Sequence, residues 1–283
     1  MTQYLNINNP MDKYIISALN EDISNYDITT NSIVSENQIA SSDLICKEDG
    51  ILCGIDVFKR VFELLGDFKF ETYFSDGDKI KSGDIILKLE GNCRNILLGE
   101  RTALNYLQRM CGISTLTTKF VDKMVKNKTK LLDTRKTTPN MRLFEKYAVT
   151  VGGGKNHRFN LSDGVMIKDN HIDAAGGILN AVNLVRNSVD ATKKIEVETE
   201  NIEMVLEALE AKADIIMLDN MSISDMKKAI DIIGDSALTE ISGNVSCDTI
   251  SKLSSLNADF ISCGALTHSA PILDLSLKNL KII

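Results

Sequence analysis

Residues 133–172 hold seven basic side chains (Arg135, Lys136, Arg142, Lys146, Lys155, Arg158 and Lys168), two of the three histidines and four acids. The segment carries 7 − 4 = +3 in a chain of formal charge −7, which leaves −10 for the remainder. Cations gathered in this way around Gly152-Gly153-Gly154 point to a pocket for a small polyanion. The glycines allow positive φ and close backbone approach, so they read as a flexible loop beside that pocket. Gly152-Gly153-Gly154-Lys155 lacks the full phosphate-loop pattern. His157 stands beside Arg158 as an anion contact, His171 caps the loop after Lys168, and His268 reads as structural. None of the three has metal-ligand spacing with another.

Lys168 ends the apolar run Val165-Met166-Ile167, where an unpaired ammonium would be costly. It must meet a carboxylate in a structural ion pair, a bound anion, or a carbonyl substrate as a Schiff-base lysine. Glu196, Glu198 and Glu200 alternate with Ile195, Val197 and Thr199, which places the three carboxylates on one strand face. Glu198 with Asp219 could hold Mg²⁺, ribose hydroxyls or a developing cation. Salt bridges to Lys168 and Arg135 are the alternative. Ser242-Gly243-Asn244 and Cys263-Gly264-Ala265 offer backbone N–H groups suited to a phosphate, although a glycine in a turn is often only structural.

The elements that carry these residues follow a regular rhythm. Short apolar runs predict strands at 130–133, 165–168, 195–198, 214–218, 238–241 and 259–262, with helices at 174–189, 202–211 and 222–233. Alternation of this kind predicts a parallel sheet of βα units. No G-x-G-x-x-G turn follows a strand, so a closed or nearly closed α/β barrel fits better than a doubly wound sheet. The barrel's C-terminal mouth would then collect Asp133-Thr134-Arg135-Lys136, Lys168, Glu198, Asp219 and the two glycine turns. Residues 1–110 differ: 80–90 reads as turn and strand, 95–110 as a helix, and together they suggest a small α+β domain leading into the barrel.

An acidic chain of 283 residues argues against nucleic acid as the main partner. No apolar run approaches the roughly 20 residues that span a bilayer, and the N-terminal residues lack a signal-peptide pattern. Six scattered cysteines without a CxxC pair read as reduced thiols, not as disulfides or a zinc site. A cytoplasmic protein is expected.

Several pieces, taken in order, resemble one family: the quinolinate phosphoribosyltransferases. They are Ala18-Leu19-Asn20-Glu21-Asp22, Asp27-Ile28-Thr29-Thr30, Gly99-Glu100-Arg101-Thr102-Ala103-Leu104-Asn105, Asp133-Thr134-Arg135-Lys136-Thr137 and 152–158. Ile167-Lys168-Asp169-Asn170-His171, Glu196-Val197-Glu198, Ile216-Met217-Leu218-Asp219-Asn220, Ser242-Gly243-Asn244 and Gly264-Ala265-Leu266-Thr267 complete the set. The resemblance implies an N-terminal α+β sandwich domain (1–110), an open or incomplete α/β barrel of parallel strands (111–265), and a final segment (266–283) that packs back on the first domain. It implies a glycosyltransferase that joins quinolinate to 5-phosphoribosyl-1-pyrophosphate with Mg²⁺, releasing nicotinate mononucleotide, pyrophosphate and CO₂ in NAD biosynthesis.

By the same resemblance, Thr134, Arg135, Lys136, Arg158 and His157 would hold quinolinate's carboxylates. Arg101 from a partner subunit would complete that pocket, making a homodimer or a higher oligomer. Lys168, Glu198 and Asp219 would face the phosphoribosyl group, with Glu198 and Asp219 as Mg²⁺ ligands. Ser242, Gly243, Asn244, Cys263, Gly264 and Ala265 would receive the 5-phosphate. Lys136, Lys168, Glu198 and Asp219 are the implied catalytic residues. Two departures, Cys111 before Gly-Ile and Cys263 before Gly-Ala, raise the prospect of oxidation sensitivity. A phosphoribosyltransferase for nicotinate and a non-enzymatic pyridine-nucleotide sensor are the rival readings.

Overall fold

In β1 (Ile39–Cys46) every second side chain, Ala40, Ser42, Leu44 and Cys46, is buried, so the strand turns one face to a core. The computed structural model describes residues 9–23 and 25–283, in two compact units. Unit 1 contains β1, β2 (Gly50–Ile51), β3 (Phe68–Thr72), β4 (Lys79–Ile80), β5 (Ile85–Asn92) and, from the end of the chain, β12 (Leu275–Ile282). Four of these form an antiparallel sheet in the order β12-β1-β5-β3, while β2 and β4 make a separate pair. The final segment thus returns to pair with the first long strand.

Helices α1 (Asp12–Asp22), α2 (Ile28–Ile33) and α3 (Ile55–Glu63) belong to the same unit. In α3, Ile55, Phe58, Val61 and Phe62 recur at helical spacing and are all buried. Helix α4 (Cys93–Lys123) runs well beyond the end predicted at 110. Within it, Gly112 allows a close approach: a Cβ there would lie 1.9 Å from the carbonyl oxygen of Pro271.

Helix α5 (Arg142–Val151) corrects the picture of one cationic patch. It buries Phe144, Glu145, Lys146, Ala148 and Val149, and Arg109 of α4 donates to Glu145 Oε1 from Nε (3.0 Å) and Nη2 (2.9 Å). Lys146 is 2% exposed, so it does not act as a solvated surface charge. Thr138–Gly153 belongs to unit 1, whereas Arg135, Lys136, Lys155, Arg158 and Lys168 belong to unit 2. The expected flexible loop is corrected as well. Gly152 caps α5 so tightly that a Cβ would stand 2.5 Å from the carbonyl oxygen of Ser114. The units meet along the chain at 118/119, 137/138, 153/154 and 269/270, because α4 runs on and α5 packs within unit 1.

Unit 2 contains the parallel strands β6 (Lys130–Leu132), β7 (Val165–Ile167), β8 (Ile195–Thr199), β9 (Ile215–Asp219), β10 (Leu238–Ser242) and β11 (Phe260–Ser262). Their order is β6-β11-β10-β9-β8-β7, an open barrel whose edge strands are β6 and β7. Intervening helices are α6 (Asp169–Ala175), α7 (Ile178–Arg186), α8 (Ile202–Glu210), α9 (Ile223–Ile233), α10 (Ile250–Ser254) and α11 (Ala265–His268). The single helix predicted over 174–189 is two, split where Gly176 and Gly177 take φ of 77° and 131°. Helices α8 and α9 start on side-chain caps: Asn201 Oδ1 accepts from Met204 N (2.9 Å) and Ser222 Oγ from Asp225 N (3.1 Å). Among the described residues, no helix is long and apolar enough to cross a membrane.

Candidate active site

Alternation along β8 sends Ile195, Val197 and Thr199 one way and Glu196 and Glu198 the other. The strand ends at Thr199, so Glu200 lies past it and is exposed, which corrects the expectation of three carboxylates on one strand face. Glu198 and its neighbours line a cavity of about 510 Å³ at the C-terminal ends of the strands. Its wall takes Thr134, Arg135 and Lys136 from the turn after β6, His157 and Arg158 from the segment before β7, and Met166 and Lys168 from β7 and its end. Met217, Asp219 and Asn220 come from β9, Glu240, Ser242, Gly243 and Asn244 from β10, and Ser262 from β11.

Neighbouring turns lock one another in place. Thr134 Oγ1 accepts from Lys136 N (3.0 Å), and Thr267 Oγ1 donates to Lys136 O (2.8 Å). A Cβ at Gly264 would press on Lys136 Cδ at 2.9 Å, so this glycine makes room for the lysine stem. Gly243 has φ of 88°, and a Cβ there would fall 2.1 Å from Asn220 Oδ1. Asn220 ties the two turns together: its N donates to Ser242 O (3.1 Å) and its Oδ1 accepts from Asn244 Nδ2 (3.2 Å).

Four cations (Arg135, Lys136, Arg158 and Lys168) and three carboxyl groups (Glu198, Asp219 and Glu240) line the cavity. Burial first, and the charge of Arg135 second, push the Arg158 guanidinium below its usual range. Two guanidinium groups held against each other in this way are a site waiting for anionic oxygens. Lys168 Nζ meets Glu198 Oε2 in a close ion pair, so one alternative raised for this lysine is present in the structure. His171 Nδ1 accepts from Lys168 N (3.0 Å), the expected cap.

Beneath the cations lies a buried acid cluster. His157 Nε2 is 3.1 Å from Glu196 Oε2 and 3.6 Å from Glu240 Oε2. The three could be taken for metal ligands by proximity. The other ring nitrogen opposes that reading: His157 Nδ1 accepts the Arg158 N–H at 2.7 Å, so the proton resides on Nε2. A metal-bound imidazole needs the opposite tautomer, with its outer nitrogen donating.

Residues 27–111 match the family model for the quinolinate phosphoribosyl transferase N-terminal domain, and residues 113–278 that for its C-terminal domain. The chain belongs to the quinolinate phosphoribosyltransferase family. A probable carboxylating nicotinate-nucleotide pyrophosphorylase from Methanocaldococcus jannaschii is 42% identical over 274 residues, covering 94% of this chain and 95% of that protein. The mitochondrial decarboxylating quinolinate phosphoribosyltransferase 2 of Nicotiana glauca is also 42% identical, covering 92% of this chain and 80% of that protein. The crystal structure of NadC from Streptococcus pyogenes superposes with a TM-score of 0.93 at 44% identity and covers all of both chains.

Of the residues that resemblance to the quinolinate phosphoribosyltransferases singled out, eleven line this one cavity: Thr134, Arg135, Lys136, His157, Arg158, Lys168, Glu198, Asp219, Ser242, Gly243 and Asn244. Cys263, Gly264 and Ala265 are not among its lining residues. The Cys263 thiol is buried and donates to Val245 O (3.5 Å). Cys111 is likewise buried, against Cys53. Burial pushes both thiols up, away from the reactive thiolate, so the expected oxidation sensitivity has no support in their surroundings. Arg101 is exposed in unit 1, where it lines a separate cavity of about 400 Å³ with Glu21, Asp22, Asn105 and Arg109. Sequence reasoning missed Glu240, Ser262, Met166 and Met217. The signal for Glu240 was an acid at the centre of an otherwise ordinary strand pattern, Leu238-Thr239-Glu240-Ile241-Ser242.

Proposed function

We infer that this protein transfers the phosphoribosyl group of 5-phosphoribosyl-1-pyrophosphate to quinolinate with loss of CO₂, giving nicotinate mononucleotide and pyrophosphate for NAD biosynthesis. The observation that carries this reading is the convergence of Arg135, Lys136, Arg158 and Lys168 on one cavity, where the charges of Arg135 and Arg158 repel. A dicarboxylate relieves that repulsion through paired contacts, whereas a single carboxylate would satisfy less of it.

Thr134, Arg135, Lys136 and Arg158 hold the two carboxylates and orient the ring nitrogen toward C1 of the ribose. His157 lies behind Arg158 and fixes its backbone. The turn of Ser242–Asn244, which lines the cavity, offers N–H groups to the 5-phosphate. Glu198 and Asp219 stabilise positive charge that builds at C1 as pyrophosphate departs. Lys168 pairs with Glu198 and is placed to turn to a substrate phosphate.

Mg²⁺ fits the same two carboxylates. Both are hard oxygen donors, and one oxygen of each is already engaged, Glu198 Oε2 by Lys168 and Asp219 Oδ2 by Asn220 Nδ2 (2.7 Å). That small donor set suits an ion that keeps its waters and binds substrate oxygens. When bound, Mg²⁺ would neutralise the leaving pyrophosphate.

Arg101 completes the pocket of a partner subunit, so the active unit is a homodimer or a larger assembly. Its exposure on the surface of unit 1 supports this arrangement. The six free cysteines suit a reducing cytoplasm. Turnover of quinolinate and nicotinate by the purified protein tests the function: a preference for quinolinate is expected, and a preference for nicotinate would overturn it. For the shared site, inactive Arg101→Ala and Lys168→Ala proteins are mixed under verified subunit exchange. Recovery of part of the activity is expected, and none would place Arg101 in its own chain's site.

A further inference from the structure

Loss of CO₂ from the ring leaves an electron pair on the carbon that bore the carboxylate, and that carbon must acquire a proton. Among the lining residues, the basic ones are placed to hold anions, Glu198 is paired with Lys168, and Asp219 accepts from Asn220. Glu240 differs. It is 1% exposed, it lines the cavity, and its Oε1 has no hydrogen-bond partner among the described residues.

Counting protons around His157 shows why this carboxyl is an acid. The imidazole has one proton, on Nε2, because Nδ1 is occupied by the Arg158 N–H. That proton is directed to the nearer carboxylate, Glu196 Oε2 at 3.1 Å, and Glu240 Oε2 stands farther off at 3.6 Å. Two buried carboxylates sharing one donor cannot both stay ionised without a large desolvation and repulsion cost. Glu196 takes that hydrogen bond, and Glu240, buried and beyond hydrogen-bond distance of the imidazole, is the carboxyl whose burial favours the protonated form. Consistent with this, burial first and Glu196 second push the Glu240 carboxyl up to about 8.

We propose that Glu240 is the general acid that protonates the ring carbon vacated by CO₂, held neutral for that task by the His157–Glu196 pair behind it. The inference rests on the transferase reading above. In the step, the bond from the ring carbon to the departing carboxyl breaks and its electron pair stays on the ring carbon, beside the cationic nitrogen. The Glu240 O–H bond then breaks, and its proton joins that pair. Glu240 is left as a carboxylate and regains a proton from solvent once product leaves.

Several charged groups surround Glu240 and set its titration: Glu196 and Glu198 on β8, Asp219 on β9, Lys168 after β7, His157 and Arg158 before β7, and Arg135 and Lys136 after β6. The rate should be full where Glu240 is protonated and fall as pH rises through about 8.

The test is single-turnover formation of nicotinate mononucleotide by the intact protein, followed by rapid quench, with quinolinate binding measured in parallel. Glu240→Gln keeps the shape and neutrality of the protonated acid but has no acidic proton to transfer. It should slow product formation by ~10²-fold, abolish the alkaline limb, and leave the quinolinate Kd within about twofold of wild type. Glu196→Gln, which removes the repelling neighbour, should move the limb to lower pH. Glu240→Gln at the wild-type rate would overturn the proposal, as would a loss of rate matched by a loss of quinolinate affinity. A limb unmoved in Glu196→Gln would also contradict it. If wild-type protein forms no nicotinate mononucleotide from quinolinate, the transferase reading itself has failed. If it does and Glu240→Gln is equally fast, only the acid assignment fails.

Discussion

Glu198 and Glu196 leave the same face of β8, two residues apart, yet Glu198 belongs to the mouth of the cavity and Glu196 to the buried cluster with His157 and Glu240. Glu198 is paired with the Lys168 ammonium, whose side chain is 42% exposed, and a substrate phosphate can compete for that lysine. Glu196 has a side chain 4% exposed and faces the His157 imidazole and a second carboxyl. The same contrast recurs on β10, where Ser242 reaches the turn and Glu240 stays below it. One pleat step therefore separates groups that exchange partners with substrate from groups whose protonation is fixed by burial. Charge at the mouth binds; neutrality at the floor keeps a proton in reserve.

The sharpest way to break this contrast is at the mouth. Lys168→Ala removes the cation opposite Glu198 and a phosphate contact together, so kcat/KM should fall by ~10³-fold. The melting temperature should change little, because the pair is half-exposed. Steady-state kinetics and thermal melting check both parts, and a large loss of stability with activity preserved would make the pair structural. The corresponding change at the floor is Glu240→Gln, with its smaller, pH-dependent loss.

Gly243→Ala tests the turn that carries the mouth. The added Cβ meets Asn220 at a φ of 88°, which costs ~2 kcal/mol in strain or displacement. The KM for 5-phosphoribosyl-1-pyrophosphate should rise more than that for quinolinate. Equal rises would mean that the turn does not serve the phosphate. The smallest effect is expected at Cys263→Val, which should leave kcat within about twofold and insensitive to mild oxidants, since the thiol is buried away from the cavity.

Much of the mouth was legible in the sequence because its residues close strands of plain period. The alternation of Ile195, Val197 and Thr199 with Glu196 and Glu198 gave both the strand and its inward face, and Lys168 stood out at the end of an apolar run. The floor was less legible. Nothing in Leu238-Thr239-Glu240-Ile241-Ser242 distinguishes a buried acid from a solvated one until β8 and His157 are placed beside it. The cationic segment was misread as continuous because a sequence count of charges is blind to α5, which takes Lys146 into another core. The glycine at 152 misled for a related reason, as the one at 112 also shows. Each admits a distant carbonyl oxygen, and the sequence does not reveal that neighbour.

The most direct measurement is the stoichiometry of the reaction with quinolinate labelled at its 2-carboxylate, together with 5-phosphoribosyl-1-pyrophosphate and Mg²⁺. The account predicts one labelled CO₂ for every pyrophosphate released, with nicotinate mononucleotide as the other product. Pyrophosphate released without labelled CO₂, or binding of both substrates with no turnover, would contradict it.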